Sequence, residues 1–360
     1  MKSVFVSDCE GPISINDNAY ELTSQFVPGG DKLFAIISRY DDVLADVVKR
    51  PGYNAGDTLK LILPFLKVCD VTDKQMQDFS TQNLLLIAGI KETLNHVCGL
   101  ADTFIVSTSY EHYIRALCEC VGFPFGNTYC TRLSIDKYHT SVQEKAKLMA
   151  ITEEIGAMQM ITIRPAAKSL EALSSRDQET VRRLDEIFCR EIPAMCLGRI
   201  LTEVTTVGGE QKAKAIRDIT KKTAVPLSDM MYVGDSITDV QAFQLVRESG
   251  GLTVSFNGNG YAVKNAEVSI MSENSIVVGV IADLFLRKGK AAAVNLAANW
   301  SSGVLEESPV NVELLKRLFT LYPKDLPKVQ IVTTKNMELL SEESGVFRKQ
   351  VRGEAVGKLG

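Results

Sequence analysis

Carboxylates and a lysine stand in this chain where strands run out into turns. In FVSDCEGP, residues 5–12, a run of β-type residues delivers Asp8 and then Glu10 into a Gly-Pro turn. An acid pair at the edge of a buried strand is costly unless a cation, a donor cluster or a reaction uses the charge. Asp8 is a candidate nucleophile toward phosphorus, because a carboxylate can form an aspartyl-phosphate and divide one hard hydrolysis into two displacements. Glu10 could protonate the leaving oxygen and later take a proton from the attacking water. Taken alone, DCEGP reads more readily as an acidic turn closing a strand.

Three further pieces raise the specificity. In VGDSITD, Asp235 and Asp239 could aim oxygens at a hard cation shared with Asp8, and magnesium suits oxygen ligands best. The plain alternative is an Asp/Ser helix cap with Asp239 favouring the helix dipole. In IVSTSY, the hydroxyl of Ser107 stands at a strand end, with the amides of a helix beginning near Tyr110 behind it, and could hold a phosphate oxygen. In GGEQKAKAIRDI, a glycine turn opens a helix whose first-turn Lys212 could reach the same anion and neutralise charge developing in transfer. Lys214 is the fallback, and a solvated lysine is the bland reading of either.

The elements that must position these residues follow from short apolar runs. SVFVS, TFIVS and DMMYVG read as buried parallel strands, each followed by a polar turn and a helical pattern. Parallel sheets bind ligands beyond the carboxyl ends of their strands, where Asp8, Ser107 and Asp235 would emerge together. Residues 14–85 read as an inserted helical cap, 137–204 as a second, mainly helical insertion, and 273–360 as a C-terminal extension packing on the core. LTVSFN and VSIMS add two strand candidates, and the tail carries helical SIVVGVIADLFLRK, NVELLKRLFTLYP and a final weak segment. The fold class expected is α/β, a three-layer Rossmann-like parallel sheet with an inserted cap.

In order, DxE, a strand-end serine, a lysine and GDSxxD resemble the four motifs of the haloacid dehalogenase superfamily. The stretch AGIKETLNHVCGLADTFIVSTSYEHYIRALCECVGFPFGNTYCTRLSID is similar to the phosphoserine phosphatase branch, as is MMYVGDSITDVQAFQLVRESGGLTVSFNGNGYAVKNAEVSI. The resemblance covers residues 1–13, 86–136 and 205–272. It implies Asp8 as nucleophile, Glu10 as general acid/base, and Ser107, Thr108, Lys212 and Asn257 as the substrate-binding set. It also implies a Mg2+ site of Asp8, Asp235 and the main-chain carbonyl of Glu10, supported by Asp239. Relatives usually carry aspartate, threonine and glycine where Glu10, Pro12 and Thr108 stand. The first motif, of DxEG type, is also similar to that of archaeal members of the superfamily.

The bulk of the sequence limits the alternatives. A formal net charge of −4 over 360 residues gives no general attraction to nucleic acid or anionic membrane. The eight cysteines lack zinc-type pairing and no secretory leader precedes them, so reduced thiols in the cytoplasm are expected. No apolar run is long enough to suggest a membrane span. Cys9 neighbours Asp8 but should point away from it, and His96, His112 and His139 share no ligand spacing.

The leading expectation is a magnesium-dependent phosphomonoesterase whose cap closes over a small phosphorylated metabolite. Arg39, Lys49, Arg50 and Lys60 are cap candidates for a carboxylate or second phosphate. The other readings are a non-catalytic accessory subunit of a larger complex and a phosphotransferase or mutase using the same nucleophile. The amphipathic NVELLKRLFTLYP offers a surface for such a partner or for a second copy of the chain.

Overall fold

The computed structural model describes residues 2–164 and 167–357. Its strands β1 (Val4–Ser7), β2 (Asp102–Tyr110), β3 (Thr128–Thr131), β4 (Met230–Gly234), β5 (Leu252–Phe256), β6 (Val268–Met271) and β7 (Lys328–Ile331) form one sheet in the order β3-β2-β1-β4-β5-β6-β7. All neighbours pair in parallel except β6 and β7. The order reverses between β1 and β4, which opens a crevice at the carboxyl ends of those two strands.

The alternation along β1 divides the core into two apolar layers. Phe5 packs with Leu94, Ile114 and Val280 from helices Ile90–Leu100, Glu111–Val121 and Ile276–Lys288. Val4 and Val6 face the opposite layer, with Ile216 and Phe243 from helices Glu210–Thr223 and Val240–Glu248. Both faces of the sheet are thus covered, as a central parallel strand made of VFVS requires. This is the α/β three-layer arrangement expected from the strand-turn-helix grammar.

The two long insertions pack together. Phe34 and Ile37 of helix Gly30–Asp42 share one apolar core with Leu148 and Ile151 of Val142–Ala157 and Leu184 of Ser175–Glu186. Helices Asp73–Gln82 and Val142–Ala157 each begin on a capping box, Thr72 with Gln75 and Ser141 with Glu144, which satisfies amides left unpaired at a helix start. Tyr110 at the end of β2 donates to the main-chain carbonyl of Leu59, seating the cap on the sheet.

The tail does more than cover an edge. Helix Ile276–Lys288 is buried in the main core, and Asp283 within it accepts from His96 at 2.8 Å, from the amide of Asn311 at 2.9 Å and from Arg287. β7 extends the sheet antiparallel to β6. The final weak segment of the sequence is a helix, Met337–Arg352, held by a small satellite cluster of Val263, Met271, Val332 and Leu340. Among the described residues no helix is long and apolar enough to cross a membrane.

Candidate active site

At the end of β1 the amide of Asp8 donates to the carbonyl of Val233 at 2.8 Å, so the residue leaves the ladder beside β4. The chain then turns sharply, with Ile13 and Ser14 both donating to the carbonyl of Cys9. Gly11 is required at this turn: its φ is +105°, and a Cβ there would lie 2.2 Å from a carboxylate oxygen of Asp235. Cys9 points into the apolar layer of Phe5, on the far side from Asp8.

Lys212, in the first turn of helix Glu210–Thr223, has no exposed surface and lies 2.6 Å from Oδ2 of Asp8 and 2.7 Å from Oδ1 of Asp239. Burial alone would lower its pKa, but the carboxylates of Asp239 and Asp8 raise it above the ordinary lysine range. Burial raises Asp8 well above the usual carboxylate range, opposed by the charge of Lys212 and reinforced by Asp239 and Asp235. Asp239 is fully engaged. Its Oδ1 also accepts from Tyr232 at 2.7 Å, and its Oδ2 accepts the amides of Asp235 and Ser236 at 2.9 and 3.0 Å. Burial opposes its charge, yet Lys212 holds its pKa below the usual range. A Cβ on Gly234 would sit 2.5 Å from the Asp239 carboxyl carbon, so the strand-end glycine makes room for this anchor.

Glu10 turns toward the cap, where its Oε1 accepts the amide of Asn18 at 2.8 Å. Burial, then the nearby charge of Asp17, raises its pKa well above the usual range, which suits a carboxyl that must hold a proton. Ser107 lies in an irregular stretch of β2 where the register with β3 shifts between Val106 and Tyr110, and its Oγ is 3.0 Å from that of Ser109. The Thr108 hydroxyl is buried without a hydrogen-bond partner. Asp8, Glu10, Ser107, Thr108 and Asp235 line one cavity of about 90 Å3.

A family described as haloacid dehalogenase-like hydrolase matches residues 105–283. Residues 105–283 are thus similar to haloacid dehalogenase-like hydrolases. A gene product from Archaeoglobus fulgidus has a similar solved structure, with a TM-score of 0.78 and 26% identity over 100% of this chain and 99% of that one. An apo phosphoserine phosphatase structure aligns with a TM-score of 0.43 and 14% identity over 77% of this chain and 98% of that one. A structure of a phospho-aspartyl intermediate analogue of phosphoserine phosphatase aligns with a TM-score of 0.44 and 13% identity over 76% and 95%. Comparison with curated protein sequences gives no match.

The core brings Asp8, Lys212, Asp235 and Asp239 into direct contact or immediate proximity, with one oxygen from each of the three aspartates within 4.8 Å of the others. Asn257 is placed differently from a substrate ligand. Its side-chain amide spans 2.8 and 2.9 Å to the carbonyl and amide of Ser272, bracing the loops after β5 and β6. The basic cap candidates are also occupied elsewhere: Arg39 pairs with Asp42, Arg50 with Asp185 and Lys60 with Asp57, while Lys49 lines a separate surface pocket. The cap wall of the cavity is acidic instead, with Asp17, Asp41 and Asp42.

Sequence reasoning missed two site residues, Arg348 and Arg352 of helix Met337–Arg352. Both guanidiniums reach Oδ2 of Asp235, Arg348 in direct contact and Arg352 at 3.1 Å. Their i, i+4 spacing places them on one helix face, a signal shared with any basic solvated helix end. The three aspartates have the oxygen donors that a hard divalent cation takes, and the glycine at position 11 lets the backbone crowd onto Asp235. The donor set therefore fits magnesium, provided the guanidiniums move off Asp235.

Proposed function

We propose that this chain is a cytoplasmic phosphatase that hydrolyses a small phosphorylated metabolite through an aspartyl-phosphate. The observation that carries the reading is that Lys212 lies 2.6 Å from Asp8, in a crevice that Ser107 and Asp235 also line or border.

In this reading Asp8 attacks phosphorus as the bond to the leaving oxygen breaks, and Glu10 delivers its proton to that oxygen. Lys212 and the Ser107 hydroxyl hold the phosphoryl oxygens, and Asp239 keeps the ammonium aimed. Glu10, now a carboxylate, takes a proton from water, which attacks the phosphoryl group and restores Asp8. Magnesium, with Asp8, Asp235 and the main-chain carbonyl of Glu10 as its ligands, would supply neutralising charge to the phosphoryl oxygens when bound. The cap, seated over the cavity, excludes bulk water and selects the substrate.

Release of phosphate from an aryl phosphate, with and without magnesium, tests this, with Asp8→Asn as control. Turnover by the native chain and none by the variant is expected. Equal release from both would instead favour an accessory role for the haloacid dehalogenase-like core.

A further inference from the structure

Helix Met337–Arg352 comes from the end of the chain, more than a hundred residues past Asp235, yet it delivers two guanidiniums to that one carboxylate. Arg348 is 2% exposed and Arg352 9%. Arg348 also lies near the main-chain carbonyls of Asp235 and Asn257, at 3.4 and 3.5 Å, and its buried Nε has no partner. Arg352 donates to the carbonyls of Ile15 and Asn16 at 2.9 and 2.6 Å, the segment that leads from the nucleophile turn into the cap. One helix thus grips both the carboxylate opposite Asp8 and the root of the cap.

A guanidinium and a divalent cation make the same demand on a carboxylate, and like charges at contact distance in a dry crevice repel strongly. Asp235 cannot serve both. The helix is also lightly held. Besides the two arginines, Leu340 is its one fully buried apolar residue, with Met337 and Phe347 packed on the same satellite cluster and Val351 against the main core. Ser344 donates to the carbonyl of Gly258 at 2.6 Å, Glu338 and Glu343 make surface ion pairs with Lys264 and Lys328, and Leu339 and Val346 face outward. An element with few buried apolar contacts opens at lower cost than the core does.

We propose that helix Met337–Arg352 is an internal latch whose arginines occupy the cation's place on Asp235, so that docking of the helix and binding of a divalent cation exclude each other. The inference rests on the magnesium site of the proposed function. Release of the helix frees Asp235 and the cap root in one movement, so the site takes up its cation in the state in which the cap can open. A cation must displace the helix and therefore binds with an affinity reduced by the fraction of time that the latch is closed.

The test is magnesium titration of the full chain by calorimetry, alongside hydrogen exchange of the peptides covering 337–352, for the native protein, Arg348→Ala and Leu340→Ala. Leu340 touches none of the carboxylates, so its variant loosens docking without altering the charge on Asp235. Both variants should bind magnesium about tenfold or more tightly than the native chain. In the native chain magnesium should strip exchange protection from 337–352. Equal affinities in all three proteins, protection that persists at saturating magnesium, or no magnesium binding even by the variants would each overturn the latch. Coupled binding and helix release without phosphate turnover would support the latch while defeating the phosphatase reading.

Discussion

Lys212 and Asp8 form an ion pair with almost no access to water: the ammonium is wholly buried and stands 2.6 Å from the carboxylate. It also holds Asp239, so one side chain fixes Asp8 and the anchor of the β4 turn. Replacing Lys212 by Met should lower turnover of an aryl phosphate by roughly a hundredfold or more, the scale of losing one charge-stabilising donor. It should also cost about 3 kcal/mol of stability, because two buried carboxylates lose their counter-charge. Urea unfolding of the variant checks the second figure, and an unchanged midpoint would contradict the structural role.

Asp8→Asn separates chemistry from folding. The carboxylate is buried among Asp235 and Asp239 and its pKa is raised by that burial, so its charge is not what holds the fold. Lys212 retains Asp239 as partner in the variant. Thermal unfolding should therefore stay within about 1 kcal/mol of the native chain, while phosphate release falls to background.

The strand-end positions of Asp8 and Asp235 were legible because VFVS and MMYVG are apolar runs closed by polar turns, a pattern that parallel sheets impose wherever a strand is covered on both faces. β3 (TYCT) and β7 (KVQI) are as short as β1 but interleave polar residues instead of forming a continuous apolar run, so nothing sets them apart from a loop. The union of the two insertions in one core was hidden for another reason. An apolar helix stripe shows that a face is buried but not against which other stripe, and Phe34 meets Leu148 across more than a hundred residues of chain. Arg348 and Arg352 were illegible on the same ground, since SGVFRKQVR carries the charge of an ordinary helix end and only tertiary placement puts it on Asp235. The basic cap candidates failed conversely: each of Arg39, Arg50 and Lys60 has an acidic neighbour that absorbs its charge.

The acid role proposed for Glu10 predicts a shift in pH dependence. Burial is the main reason that its pKa is high, and the Asp17 carboxylate is the next. Asp17 also caps helix Asn18–Phe26 by accepting from the amide of Tyr20 at 3.0 Å, a task that asparagine performs about as well. Asp17→Asn removes the charge and keeps the cap, so the protonated form of Glu10 loses stabilisation and its pKa falls. The alkaline limb of the turnover profile, where the acid has lost its proton, should move to lower pH. A limb that stays in place would show that Glu10 is not the group titrating there.

Asp283 gives a stability prediction remote from the chemistry. It is fully buried in helix Ile276–Lys288, and although burial opposes its charge, Arg287, the amide of Asn311 and His96 hold its pKa below the usual range. A carboxyl whose pKa is depressed on folding contributes stability that is present above its unfolded value, about 3.9, and is lost as pH falls through the folded value. Asp283→Asn keeps the shape but breaks the pairing with Arg287, so the variant should be less stable by about 2–3 kcal/mol at pH 7. The gap between variant and native chain should then narrow as pH drops below about 4, because the native carboxyl becomes neutral as well. Urea midpoints for both proteins at neutral and acid pH measure the gap, and a difference that is constant with pH would assign the loss to packing rather than to the charge of Asp283.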